Sequence, residues 1–218
     1  MTLRLLLARH GQTPWNVQRR MQGFSDGDGN ELDETGLEQA RLLAVGMRTE
    51  RLVAVYASTL RRAIQTAEPV AREHGLSVQT DPDLRELNQG ELEGVTAEML
   101  MERYSELLSV WRSQPAGVRM PGGETLEELQ HRAWRAILRI VERHPEGSVL
   151  VASHNLTNHT ILCKITGCHL NEFREIKQDS ACLNVIEWRE NGPELALAND
   201  TRHLQISEGE MGARRHQV

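Results

Sequence analysis

Short apolar runs alternate with amphipathic stretches along most of this chain. Residues 3–8, 52–56 and 149–152 are nearly unbroken in apolar side chains. Runs of that length without polar alternation predict strands buried on both faces, as in parallel sheets. Thr35 and Glu38 predict a capping box ahead of a helix that presents Leu37, Ala40, Ala44 and Met47. Ser58 is expected to open a helix through Arg61, Ala63, Thr66 and Val70, which Gly75 stops. Residues 78–80 predict a short strand, and residues 81–94 are turn-rich and acidic. Residues 96–111 predict one helix, with Met99, Tyr104, Leu107 and Leu108 on a mixed face, followed by a loop over 115–123. Thr125 and Glu128 predict a second capping box. Its helix carries Leu126, Leu129, Ala133, Ile137, Ile140 and Val141 and ends before Pro145 and Gly147. Residues 156–165 predict a helix closed by Gly167, and residues 184–188 and 195–198 a hairpin about Asn191 and Gly192.

Strands alternating with helices predict an α/β domain, a three-layer α/β/α sandwich on a mostly parallel mixed sheet. A single domain is expected over residues 1–204, with a small helical cap near 95–121 and a polar, flexible tail over 205–218. No repeat or linker interrupts it.

The chain of 218 residues carries a net charge of −6. That balance gives no reason to expect a nucleic-acid or membrane-surface partner. An anionic ligand would have to be held by local positive charge against the global field. Cys163, Cys168 and Cys182 form no CxxC pair and leave an odd count. Core cysteines in a reducing, cytoplasmic setting are therefore expected. No apolar run reaches the length of a membrane span, and the opening residues lack a small-residue cleavage site, so no signal peptide is expected.

Two segments share a layout. An apolar strand ends in Arg9-His10, and another ends in Ser153-His154. Ligands of open α/β sheets bind at the carboxyl ends of the strands, so both histidines are expected at one crevice. The strand at 52–56 and its helix bring Arg62 to the same edge, and Glu86 lies on the loop after the next strand. Taken singly, each of these residues is more simply a surface or hydrogen-bonded side chain; their repeated position at strand ends raises the functional reading. A zinc site on His154 and His159 is disfavoured by their spacing of five. No Walker loop, GxGxxG fingerprint or GxSxG elbow is present.

Arg9-His10-Gly11-Gln12-Thr13, with Asn16 one turn on, resembles the signature of the histidine phosphatase superfamily, the phosphoglycerate mutase-like proteins. The likeness continues in order through Leu32 to Ala40, Ser58 to Ala67, Leu84-Arg85-Glu86-Leu87, Gly90 to Gly94, Pro121 to Thr125, Val151 to His154, and Asn199 to Leu204. That ordered set, spanning almost the whole chain, carries the likeness; Arg-His-Gly alone would not. The resemblance implies a phosphoglycerate mutase-like fold with His10 as nucleophile. It implies Arg9, Arg62 and His154 around the phosphate, and Glu86 as proton donor and acceptor. Asn16 is implied as a further phosphate contact, and Gln12, Thr13 and Gly11 as substrate-binding positions of the pocket loop. A backbone carbonyl, that of Gly11, is expected to fix the His10 tautomer. No metal and no cofactor is implied. Asn155 stands where many relatives have glycine, so its side chain is a candidate substrate contact.

The favoured reading is a metal-independent phosphomonoesterase acting on a small phosphorylated metabolite through a phosphohistidine. Cofactor-dependent mutases of the superfamily generally carry a longer insert before the Gly-Gly-Glu motif, whereas residues 95–121 here are short. The alternatives are a bisphosphoglycerate-dependent phosphoglycerate mutase and a silent binding or scaffold protein on the same fold. Self-association into a homodimer is compatible with each. Tyr104, Trp111, Arg112 and Arg119 are candidate lid contacts, and the turn from Gly27 to Asn30 stands near the expected entrance.

Overall fold

The computed structural model describes residues 2–27 and 29–205, so the expected tail lies outside the described residues except for Gln205. Six strands form one sheet in the order β3-β2-β4-β1-β5-β6. They are β1 (Thr2–Arg9), β2 (Leu52–Ser58), β3 (Val78–Asp81), β4 (Glu146–Ser153), β5 (Leu183–Arg189) and β6 (Gly192–Asp200). The first four run parallel. The expected hairpin closes one edge, with β5 antiparallel to β1 and β6 antiparallel to β5.

Alternate residues of β1 face two different helix layers. Leu3, Leu5 and Leu7 pack with α6 (Leu126–Arg143) and α7 (Asn155–Thr166). Leu6 and Ala8 pack with α2 (Glu34–Gly46) and α3 (Arg61–Glu73). All five are fully buried, and each leucine contributes roughly 1.5–3 kcal/mol relative to exposure. The absence of polar alternation in this strand is thus the direct record of a sheet covered on both sides.

The helix ends show where local chemistry acts. Thr125 and Glu128 form the predicted reciprocal box on α6. Gly167 closes α7 in the left-handed region, with φ of 77°. Two expectations are corrected at α2. Its cap is Asp33, whose side chain accepts from the Gly36 amide at 2.8 Å, and not Thr35. Leu37 is half-exposed, while Leu42, Leu43 and Val45 turn inward. Ser58 belongs to β2 and not to a helix start; α3 begins at Arg61, and its first amide is capped by Asp26 at 2.8 Å. The single helix expected over 96–111 is two, α4 (Ala97–Arg103) and α5 (Ser105–Ser113). Tyr104 between them leaves helical geometry at φ −128° and ψ 32°. Cys163 and Cys182 are buried as expected, but Cys168 is partly exposed.

Candidate active site

The two central parallel strands pair in register, Arg9 opposite Ser153. The chain leaves β1 towards α2 on one face and leaves β4 into α7 on the other. A crevice must open where neighbouring strands send their helices to opposite sides. His10 and His154 stand at its base, one residue beyond each strand. The His10 amide donates to the Ser153 carbonyl at 2.9 Å, and the imidazole centroids lie 5.3 Å apart.

His10 Nδ1 lies 2.7 Å from the Gly11 carbonyl. Because a carbonyl only accepts, Nδ1 carries the proton and the Nε2 lone pair is left free. Burial, then the Arg62 and Arg9 guanidinium groups, hold the His10 pKa well below its ordinary value. His154 is fully buried, and neither ring nitrogen has a partner. Burial first, and Arg62 second, push its pKa well down too. Both rings are therefore neutral at pH 7.

Arg62 is fully buried in the first turn of α3. Its guanidinium donates to the Gly23 and Ser25 carbonyls at 2.9 and 3.0 Å, and its Nε has no partner. Burial lowers its pKa to about 10, so the charge remains at neutral pH. Arg9 donates to the Gln178 carbonyl at 2.7 Å, and its buried Nε is also unpartnered. Buried donors without acceptors are costly unless a ligand completes them. Three such groups beside His10 make a cradle of donors suited to an anion.

Glu86 completes the cluster. Its carboxylate accepts from the amides of Leu87, Leu156 and Thr157 at 2.9–3.2 Å. It thereby caps α7, whose own N-cap residue, His154, provides no side-chain acceptor. The acid and the helix that starts at Asn155 are thus held together.

A cavity of about 490 Å³ opens over this cluster, lined by Arg9, His10, Asn16, Glu86 and Asn155 among others. Arg62 and His154 lie behind that lining. Asn16 Oδ1 is engaged by the amide and hydroxyl of Thr13 in a capping box, which leaves its amide nitrogen as the free polar group. Gln12, Thr13 and Gly11 do not line the cavity. Gln12 donates to the Asp33 cap at 3.1 Å. Thr13 is fully buried and accepts from Gln22. Gly11 packs so closely on Gly36 that a Cβ would stand 2.7 Å from the Gly36 carbonyl oxygen. The structure corrects these three from pocket-lining positions to residues that shape the loop.

Of the candidate lid residues, Trp111 lines the cavity; Tyr104, Arg112 and Arg119 do not. Arg119 is drawn outward to Glu128 at 2.5 Å. Gly27, Gly29 and Asn30 do not line it either, and Asp28 is outside the described residues. Sequence reasoning missed Gln22, Arg174 and Gln178 in the lining. It also missed Arg132, which donates to the carbonyls of Asp83, Arg85 and Glu86 at 2.6–2.9 Å and to Glu124. Arg132 pins the acid loop to α6. Glu124 in the Gly-Gly-Glu motif was the available signal, since a half-buried carboxylate needs a cation.

His159 supplies a pH test of this buried region. Its Nε2 donates to the Ile176 carbonyl at 2.7 Å, and its ring stands edge-on to Phe173 at 5.0 Å. Burial takes its pKa from 6.5 down to about 4. The folded state refuses a proton that the unfolded chain accepts, so stability is whole above pH 6.5 and falls as pH drops towards 4. Each such histidine contributes a slope of about 1.4 kcal/mol per pH unit. Urea unfolding of the parent between pH 7.5 and 4.5 is expected to lose about 2–3 kcal/mol more than that of His159→Gln. Equal losses would remove His159 from the account.

Comparison with known proteins shows the family and the fold. The sequence model described as "Histidine phosphatase superfamily (branch 1)" matches residues 5–201. Phosphoserine phosphatase 1 of Hydrogenobacter thermophilus is 32% identical over 202 residues, 93% of this chain and 94% of that protein. A probable phosphoglycerate mutase, GpmB of Yersinia pestis, is 33% identical over 213 residues, covering 94% of this chain and 96% of its own. The solved structure of Bacillus stearothermophilus YhfR superposes with a TM-score of 0.87 at 30% identity, covering 93% of this chain and 99% of that one. From its fold, its matched sequence and its relatives, this chain belongs to the histidine phosphatase superfamily.

Proposed function

We propose that this protein is a phosphomonoesterase that passes the phosphoryl group through His10 to water. The observation that carries the reading is the neutral His10 ring, tied by Nδ1 to the Gly11 carbonyl among unpartnered cationic and imidazole donors. The Nε2 lone pair attacks phosphorus, forming an N–P bond as the ester P–O bond breaks. Glu86, taking up the proton that enters with the substrate monoanion, gives it to the departing alkoxide. It then takes a proton from water as the water oxygen attacks phosphorus, and the N–P bond breaks to release inorganic phosphate and neutral His10. Charge on the phosphoryl oxygens is met by Arg9, Arg62, His154 and the Asn16 amide. Fixed donors at such oxygens are the main source of rate in phosphoryl transfer. One relative is named a phosphoserine phosphatase and another a probable phosphoglycerate mutase, so the alternative to water in this proposal is a second hydroxyl.

Turnover of an aryl phosphate in excess chelator, quenched in alkali, tests the proposal. Inorganic phosphate and an alkali-stable, acid-labile phosphoenzyme are expected. No phosphate release across a broad ester panel, together with bisphosphoglycerate-dependent interconversion of phosphoglycerates, would replace the phosphatase by a mutase.

A further inference from the structure

The wall facing the polar cluster is made of different material. Leu107, Leu108 and Trp111 of α5 line the cavity, joined by Met120, Phe173 and Ile176. None of the α5 residues is fully buried; Leu107, Leu108 and Trp111 pack against the main core on one side and line the cavity on another. The other cations at the cavity hold contacts of their own, and of these only Lys177 has an acidic partner among the described residues. The Arg174 guanidinium lies 4.4 Å from the Phe173 ring centroid and 5.9 Å from that of Trp111, and donates to the Trp111 carbonyl at 3.1 Å. Lys177 pairs with Asp179 at 2.8 Å, and Arg20 is held by Gln18 and the Gly94 carbonyl at 2.7 and 2.8 Å.

Two consequences follow from that division. A carboxylate or second phosphate on the substrate would meet mostly apolar side chains, at a wall where Arg174 already lays its flat face on the Phe173 and Trp111 rings. An apolar group would cover surface that water otherwise wets, with a gain of about fourfold in affinity per methylene. The Arg174 clasp joins α5 to the 170–176 segment by cation–π and hydrogen-bond contacts, so the two halves of the wall are held as one surface.

On the reading of His10 as phosphoryl acceptor, we infer that the preferred substrate is a phosphomonoester of a bulky apolar alcohol, aromatic or branched aliphatic, and not a phosphorylated hydroxy or amino acid. The phosphate enters the cradle at His10, and the alcohol lies against Trp111, Phe173 and α5. Arg174 then acts on specificity by positioning the Trp111 and Phe173 rings.

A series of primary alkyl phosphates tests this without changing the leaving-group chemistry. Ethyl, n-hexyl and 2-(1-naphthyl)ethyl phosphate would be compared with phosphoserine and 3-phosphoglycerate. The expected kcat/KM rises about 100-fold or more from ethyl to the larger esters, mainly through KM, with the two acids near or below ethyl phosphate. Trp111→Ala is expected to compress the naphthylethyl-to-ethyl ratio at least tenfold, and Arg174→Gln by a smaller factor, also in KM. Flat rates across the alkyl series, or phosphoserine or 3-phosphoglycerate as the best substrate, would overturn the inference while leaving the phosphatase intact. Failure to hydrolyse any ester would instead sink the reading of His10 on which it rests.

Discussion

His10→Ala is expected to abolish turnover of every phosphomonoester, lowering kcat by on the order of 10⁴-fold or more. No phosphoenzyme should be trapped. The size of the effect reflects the role: without an imidazole, the surrounding donors can bind phosphate but nothing accepts the phosphoryl group. The structural cost is far smaller. Deleting the ring leaves the buried Gly11 carbonyl without its 2.7 Å partner, worth about 1–3 kcal/mol, while the β1–β4 ladder is backbone and persists. Circular dichroism should therefore report a folded protein beside an inactive one. Retention of a tenth of the parent rate, or a phosphoryl group trapped on another side chain, would remove His10 from the centre of the mechanism.

The second large effect is expected at Arg62, where even lysine should fail. The guanidinium holds the Gly23 and Ser25 carbonyls and still has N–H groups left over, its Nε among them. A lysine ammonium has three donors at one point and cannot tether the loop while presenting a flat edge to a phosphate. Arg62→Lys and Arg62→Met are both expected to lower kcat/KM by about 10²–10³-fold. The same variants should lose the rise in melting temperature that millimolar inorganic phosphate gives the parent, because an anion that binds only the folded state stabilises it by mass action. A lysine variant within fivefold of the parent, with its phosphate-induced shift kept, would reduce Arg62 to a structural residue.

Much of the scaffold was legible because it is written in periodicity. The unbroken leucines of β1, the run into Ser153 and the Thr125–Glu128 box are local patterns with local causes. The placement of His10, His154 and Arg62 followed from strand ends, which topology brings together without further information. What escaped depended on competition or distance. In Asp33-Glu34-Thr35-Gly36, two residues could cap α2, and the Gln12 amide at 3.1 Å favours Asp33. The break at Tyr104 has no proline or glycine to announce it. Arg132 sits mid-helix like a solvated residue, yet its partners are 46 or more positions away for three of its bonds. Gln12 looked like a pocket residue because it neighbours His10 in sequence; the turn sends its side chain to the other side. Phe173 to Gln178 carry no periodic signal, and only their tertiary position brings them to the cavity.

The pairing of Arg9 with Ser153 at the centre of the sheet also bears on how activity is lost. The spacing of the two imidazoles is set by the backbone ladder between β1 and β4 and not by a loop. The backbone positions that carry them move apart only when those central strands part. Amide protons of residues 5–8 and 149–152 should therefore exchange with solvent only through global opening. The amides of α4 and α5, none of whose α5 side chains is fully buried, should exchange through local openings of much lower free energy. On the proposed phosphatase reading, warming would accordingly loosen the choice among alcohols well before phosphate capture is lost, so discrimination and catalysis should decay at separate temperatures.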